Sequence, residues 1–127
     1  HIKDSDKLIK QIKLNLKKDG FLYLSFPPFY SLGGGHQLKP FHYLSEKTAI
    51  KLGKKLGRIT NNVTNYENLF GTWGLYKRSI NEVKNLLEKN GFEIIQYKPR
   101  YFKLNLAKIP LLKNFLTWHV EFYCIKK

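Results

Sequence analysis

At 127 residues the chain is the size of one small domain, and 43% hydrophobic and 15% aromatic residues are enough to fill a core, which excludes intrinsic disorder. No apolar run reaches the roughly 18 residues needed to cross a bilayer, no signal-peptide pattern opens the chain, and the single cysteine, Cys124, excludes an internal disulfide and suits a reducing, cytoplasmic setting. The net charge of +14 comes mostly from lysines spread along the chain, with arginine only at Arg58, Arg78 and Arg100, so it reads as solvated helix faces rather than a patch that reads bases. The chain opens on His1 and contains no Met, which leads to the expectation of a piece of a longer protein.

Leu8, Ile9, Ile12 and Leu16 recur at three- and four-residue spacing between lysines, which predicts an amphipathic helix capped by Asp4 or Asp6. Gly20 is suited to end it in a left-handed turn. Phe21 to Phe26 is then an almost unbroken apolar and aromatic run of strand length, the pattern of a strand covered on both faces. Pro27 and Pro28 stop its pairing, because neither has an amide hydrogen to donate. Ser45 caps a second helix carrying Ala49, Ile50, Leu52 and Leu56, ended by Gly53 or Gly57. Asn61 to Gly74, polar and punctuated by glycine, reads as a long mobile loop. Ser79 with Glu82 forms a capping box for a helix that buries Val83, Leu86 and Leu87 and closes at Gly91. Phe92 to Tyr97 and Val120 to Ile125 read as strands, joined by a segment that holds Pro99, Pro110 and the apolar stretch from Leu111 to Trp118.

The segment following the first strand carries the chemistry. In open α/β sheets a ligand sits just past the carboxyl ends of the strands, which is where residues 27–36 fall. Gly33, Gly34 and Gly35 do not lead straight into a helix, as a phosphate cradle requires, and so read as a hinge on which an insert closes as a lid. His36 is placed either to accept a proton from a substrate or as a surface-loop histidine. Phe29 and Tyr30 either line an acceptor pocket or pack under the lid. Trp73 either covers a ligand or anchors its loop. His36 and His42 have no Cys, Asp or Glu at ligand spacing, so no metal site is expected. Tyr97, Arg100, Tyr101 and Phe102 interleave rings with charge and suit either an edge strand or a stacking platform for RNA.

HIKD followed by a helix, then LKKDG, then FLYLSFPP, resembles the second half of a class I S-adenosylmethionine-dependent methyltransferase of the type 11-like group, where a helix ending in a Leu-Lys-Pro-Gly-Gly-like turn leads into the fifth strand. Lys18 and Asp19 stand where that family usually has Pro and Gly. The resemblance covers nearly the whole chain and implies an α/β fold: the C-terminal half of a Rossmann-like methyltransferase sheet, with a parallel strand, an antiparallel edge hairpin, flanking helices and a lid-like insert over 29–78. The acidic-Gly-x-Gly-x-Gly loop and the acidic residue for the ribose are missing, so residues 1–127 correspond to the C-terminal part of a methyltransferase domain. The implied function is methyl transfer from S-adenosylmethionine to a small-molecule acceptor, by the complete protein rather than by this chain alone. His36 would then be the catalytic base, Phe29, Tyr30 and Trp73 the acceptor contacts, and His1, at the end of the segment after the fourth strand, a cofactor contact. The alternative is a non-catalytic basic α/β module that binds RNA. In the methyltransferase sheet the first strand here would pair with the fourth on one side, so removing the first four strands would leave an edge open to self-association.

Overall fold

The computed structural model describes residues 2–71, 73–101, 106–110 and 112–127. It is a mixed α/β structure of four helices and one three-stranded antiparallel sheet. Helix α1 (Ser5–Asn15) is capped by Asp4, whose carboxylate accepts from the Lys7 amide at 2.9 Å. The chain turns through Asp19, at φ 59, rather than through Gly20. Gly20 is needed for another reason: a Cβ there would lie 2.8 Å from the Lys17 carbonyl.

Strand β1 (Phe21–Phe26) occupies the length expected. Helix α3 (Ile80–Lys89) has the reciprocal Ser79–Glu82 capping box and ends at Gly91, whose φ of 76 only glycine adopts readily. Strands β2 (Phe92–Pro99) and β3 (Val120–Lys126) follow, separated by the short helix α4 (Lys113–Leu116). The sheet order is β1-β3-β2, so the last strand lies between the other two and pairs antiparallel with both, which makes β1 and β2 parallel to one another. The bulge at Ile94/Gln96 turns Ile95 outward.

Helices α1 and α3 cover one face of this sheet. Ile9, Ile80, Val83 and Leu87 pack there on Phe122, Val120 and Cys124, with Leu22, Leu24 and Phe26 of β1 alongside. Phe26, Phe122 and Tyr97 stack across the three strands at 6.2 and 5.4 Å. The other face has no helical cover among the described residues, and there only Glu121, held between Tyr23 and Tyr123, is buried. An apolar run in β1 suggested cover on both sides, yet Phe21 is 57% and Tyr23 46% exposed, because no helix among the described residues lies over them.

Residues 29–78 build a second core of their own. Helix α2 (Glu46–Lys55), capped by Ser45 and ended by Gly57 at φ 64, contributes Ala49 and Ile50 to a cluster with Phe29, Leu38, Val63, Tyr66, Leu69 and Leu75. The segment from Asn61 to Gly74 is thus packed rather than a plain loop: Val63, Tyr66 and Leu69 are buried, and Asn65 and Asn68 cap a 3-10 turn reciprocally. Its polar residues sit at exposed positions between these anchors, which hid the pattern. The two ends of the insert meet where the Phe29 amide donates to the Arg78 carbonyl at 3.0 Å. No helix among the described residues is long and apolar enough to cross a membrane.

Candidate functional site

Ser31 fixes the loop after β1. Its hydroxyl donates to the Trp118 carbonyl at 3.1 Å and accepts from the amides of Gly33 and Gly34, so the loop is bolted to the residues that enter β3. The three glycines are positions of close approach, where the sequence suggested a hinge. A Cβ at Gly33 would lie 2.5 Å from Trp118, one at Gly34 2.0 Å from the Phe29 carbonyl oxygen, and one at Gly35 2.2 Å from the His42 ring. Nor do they cradle a phosphate, since their open side is filled by protein and they lead only into the 3-10 turn His36–Leu38.

This packing delivers His36, itself left-handed at φ 45, to the wall of a cavity of about 430 Å³ at the carboxyl end of β1. The apolar wall comes from Ile9 of α1, Leu24 and Phe26 of β1, and Val83 and Leu86 of α3. The polar residues of the wall are Ser5, Ser25, His36, Tyr76, Arg78 and His119. His119 lies at the opposite end of the chain and was missed in the sequence, as were Ser25, Tyr76 and Arg78; no local spacing links them to the loop. Only the antiparallel register, which sets Phe26 against Val120, brings His119 to the end of β1.

Burial lowers the pKa of His36, and the nearby charges of Lys39 and His119 lower it further. Burial also lowers that of His119, aided by Arg100 and opposed by Glu121. Both rings are therefore neutral at pH 7, each with one N–H and one lone pair. His119 Nδ1 is shielded from solvent without a hydrogen-bond partner among the described residues, at a cost of about 1–3 kcal/mol. Arg78 is already committed: its Nε donates to Ser5 Oγ, Nη1 to the Lys77 carbonyl and Nη2 to the Lys3 carbonyl.

The structure separates the other expected contacts from this cavity. Phe29 is 3% exposed, with its ring on Tyr30, His42 and Tyr66. Tyr30 packs between Phe29 and Phe115. Trp73 is 62% exposed and bridges to Phe70, whose ring meets His36 edge-on at 5.5 Å. His42 is buried against Tyr43 at 4.0 Å. His1 lies outside the described residues, as does Phe102.

The expected RNA platform is divided between two sides. Tyr97 stacks on Phe122 under the helices, while Tyr101 is exposed with Arg100 over its ring at 5.5 Å. The rings that face outward from the sheet are Phe21, Tyr23 and Tyr123, with Lys98 over Tyr123 at 5.4 Å. In their midst Glu121 accepts from the hydroxyls of Tyr23 and Tyr123, both at 2.8 Å, and lies 3.7 Å from Arg100 Nε. Burial pushes its carboxyl up, but the two hydroxyls and the charges of Lys98 and Arg100 outweigh this and hold it below the usual carboxylate range. Among the described residues no three His, Cys, Asp or Glu side chains gather as a metal site would require. Compared with protein-family models and with curated proteins, the chain matches none.

Proposed function

We propose that this chain is the acceptor-binding, C-terminal half of a class I S-adenosylmethionine-dependent methyltransferase that acts on a small molecule. The observation that carries the reading is the join of topology and cavity: a last strand set antiparallel between two mutually parallel strands, with a histidine-lined cavity at the carboxyl end of the first of them. The LKKDG and FLYLSFPP segments that carry the resemblance form the turn that follows α1, starting at its C-cap Leu16, and strand β1 with the two prolines after it. The residues present do not form a cradle for the methyl donor, since the only glycine cluster is packed against protein. In this reading the donor is held by sequence outside this chain.

What the chain itself supplies is orientation and a base. The cavity walls hold the acceptor, and the neutral His36 accepts the proton of a hydroxyl or amine as that group becomes a nucleophile. The test uses the chain joined to the sequence encoded ahead of residue 1. At saturating donor, His36→Ala should lower methyl transfer about 100-fold or more while donor affinity is kept. A loss below about threefold would leave His36 a loop residue, and an intact rate with weakened donor binding would put the loop on the donor side.

A second reading, an RNA-binding α/β module without catalysis, draws on the outer sheet face with its three rings and Lys98 and on the net charge of +14. Salt-sensitive binding of a single-stranded RNA that is lost in Tyr23→Ala would select it.

A further inference from the structure

We propose that the cavity at the end of β1 takes a small, uncharged hydroxy-aromatic compound, a phenol-class ligand, with its ring between α1 and α3 and its hydroxyl against His119 and His36. The proposal rests on reading this cavity as the acceptor site and names the acceptor's class. Size is the first restriction. About 430 Å³ lies near the lower end of the range of small-molecule sites, which suits one substituted ring. The walls are the second, because Ile9, Leu24, Phe26, Val83 and Leu86 offer an apolar slot with nothing to pair with a polar body.

Charge is the third and most selective. Among the described residues of the wall the one permanently charged group is Arg78, and three of its five N–H donors are given to Ser5 Oγ and the carbonyls of Lys77 and Lys3, so most of its hydrogen-bonding capacity is spent on the fold rather than on a bidentate grip of a carboxylate or phosphate. No carboxylate is found among the described residues of the wall to hold an ammonium. The other polar side chains there are the hydroxyls of Ser5 and Tyr76 and two imidazoles kept neutral by burial. His119 Nδ1 has no partner among the described residues, so the polar end of the cavity is undersatisfied. A single hydroxyl, which donates one hydrogen bond and accepts others, matches such a set.

The chain labelled with nitrogen-15 would be titrated separately with 4-ethylphenol, its methyl ether 4-ethylanisole, ethylbenzene and 4-ethylbenzoate, following the imidazole nitrogens and the amides of Leu24 to Phe26. 4-Ethylphenol should shift the His119 and β1 signals and bind about five- to tenfold more tightly than the ether or the hydrocarbon, the worth of one hydrogen bond to a preformed acceptor. His119→Phe, which keeps a ring against Tyr101, should bring that preference below about twofold. Equal binding of phenol, ether and hydrocarbon would overturn the proposal, as would tighter binding of the benzoate or shifts confined to other parts of the chain. The comparison of ligands on the unaltered chain decides the matter even where His119→Phe fails to fold. No methyl donor is present in the titration. Loss of the phenol preference would therefore sink the ligand class while leaving methyl transfer to another acceptor open to assay, and a complete protein that transfers no methyl group would sink the reaction while the preference stands.

Discussion

Gly34 has no room for a side chain. Its Cβ would sit 2.0 Å from the Phe29 carbonyl oxygen and 2.5 Å from that of Pro28, and backbone on both sides cannot move aside as a flexible side chain would. Gly34→Ala is therefore expected to cost about 2 kcal/mol or more. Gly57 makes the control: it is left-handed at φ 64, but nothing lies within 4 Å of its Cβ, so Gly57→Ala should cost only about 1 kcal/mol. Urea midpoints of the two variants measure the difference, and equal losses would mean that the loop is not gripped. A pH effect belongs to the same scale. His36, His42 and His119 all have pKa values lowered by burial, so each takes up its proton in the unfolded chain before it does in the folded one. Stability is then full above pH 6.5 and is lost as the pH falls from there through the lowered folded values. The unfolding temperature should drop between about pH 7.5 and pH 5.5, and the drop should be shallower in His42→Phe, because His42 is 1% exposed and burial is the largest cause holding its pKa down. An unchanged temperature across that range would contradict the buried, neutral state of these rings.

Among the elements, those set by local rules could be read from the sequence: the caps at Asp4, Ser45 and Ser79, the stripe of Val83 and Leu87, and the bounds of β1 follow from spacing and from a few side-chain hydrogen bonds. Contacts distant in sequence could not. Periodicity says nothing of strand order, so neither the place of β3 between β1 and β2 nor the meeting of His119 with the end of β1 could be foreseen. For the same reason the Gly33–Gly35 run looked like a hinge, since what fills the space beside it, Trp118 and His42, comes from elsewhere in the chain. At this scale β1 also carries a liability. It has β3 on one side and, among the described residues, no partner strand on the other, so one row of its backbone amides and carbonyls is left for a neighbour. Self-association through this edge is the expected outcome, with amide exchange in Tyr23 and Ser25 slowing as concentration rises. Light scattering that shows a monomer at high concentration, together with fast exchange at those residues, would refute it.

For the molecule as a whole, the expected behaviour towards S-adenosylmethionine is silence. In the reading proposed above, the glycine loop and the acidic residue that hold the cofactor lie outside this chain, so calorimetry with the 127-residue chain should show no binding at micromolar concentrations. Heat at those concentrations would remove the case for a half domain. Net charge separates the two kinds of association. With +14 on each copy, joining through β1 must overcome repulsion and should strengthen as salt is added, whereas binding to a polyanion should weaken.

Edge and face differ in one further respect, which comes from the cations beside Glu121. A second sheet laid over Phe21, Tyr23 and Tyr123 would strip water from Arg100 and Lys98, which flank that buried carboxylate, and each copy would incur that desolvation in the middle of the contact. The two cations thus work as gatekeepers beside the central strand, where an uninterrupted ring surface would invite stacking into layers. They leave lateral, strand-to-strand growth as the open route and close the face-to-face one.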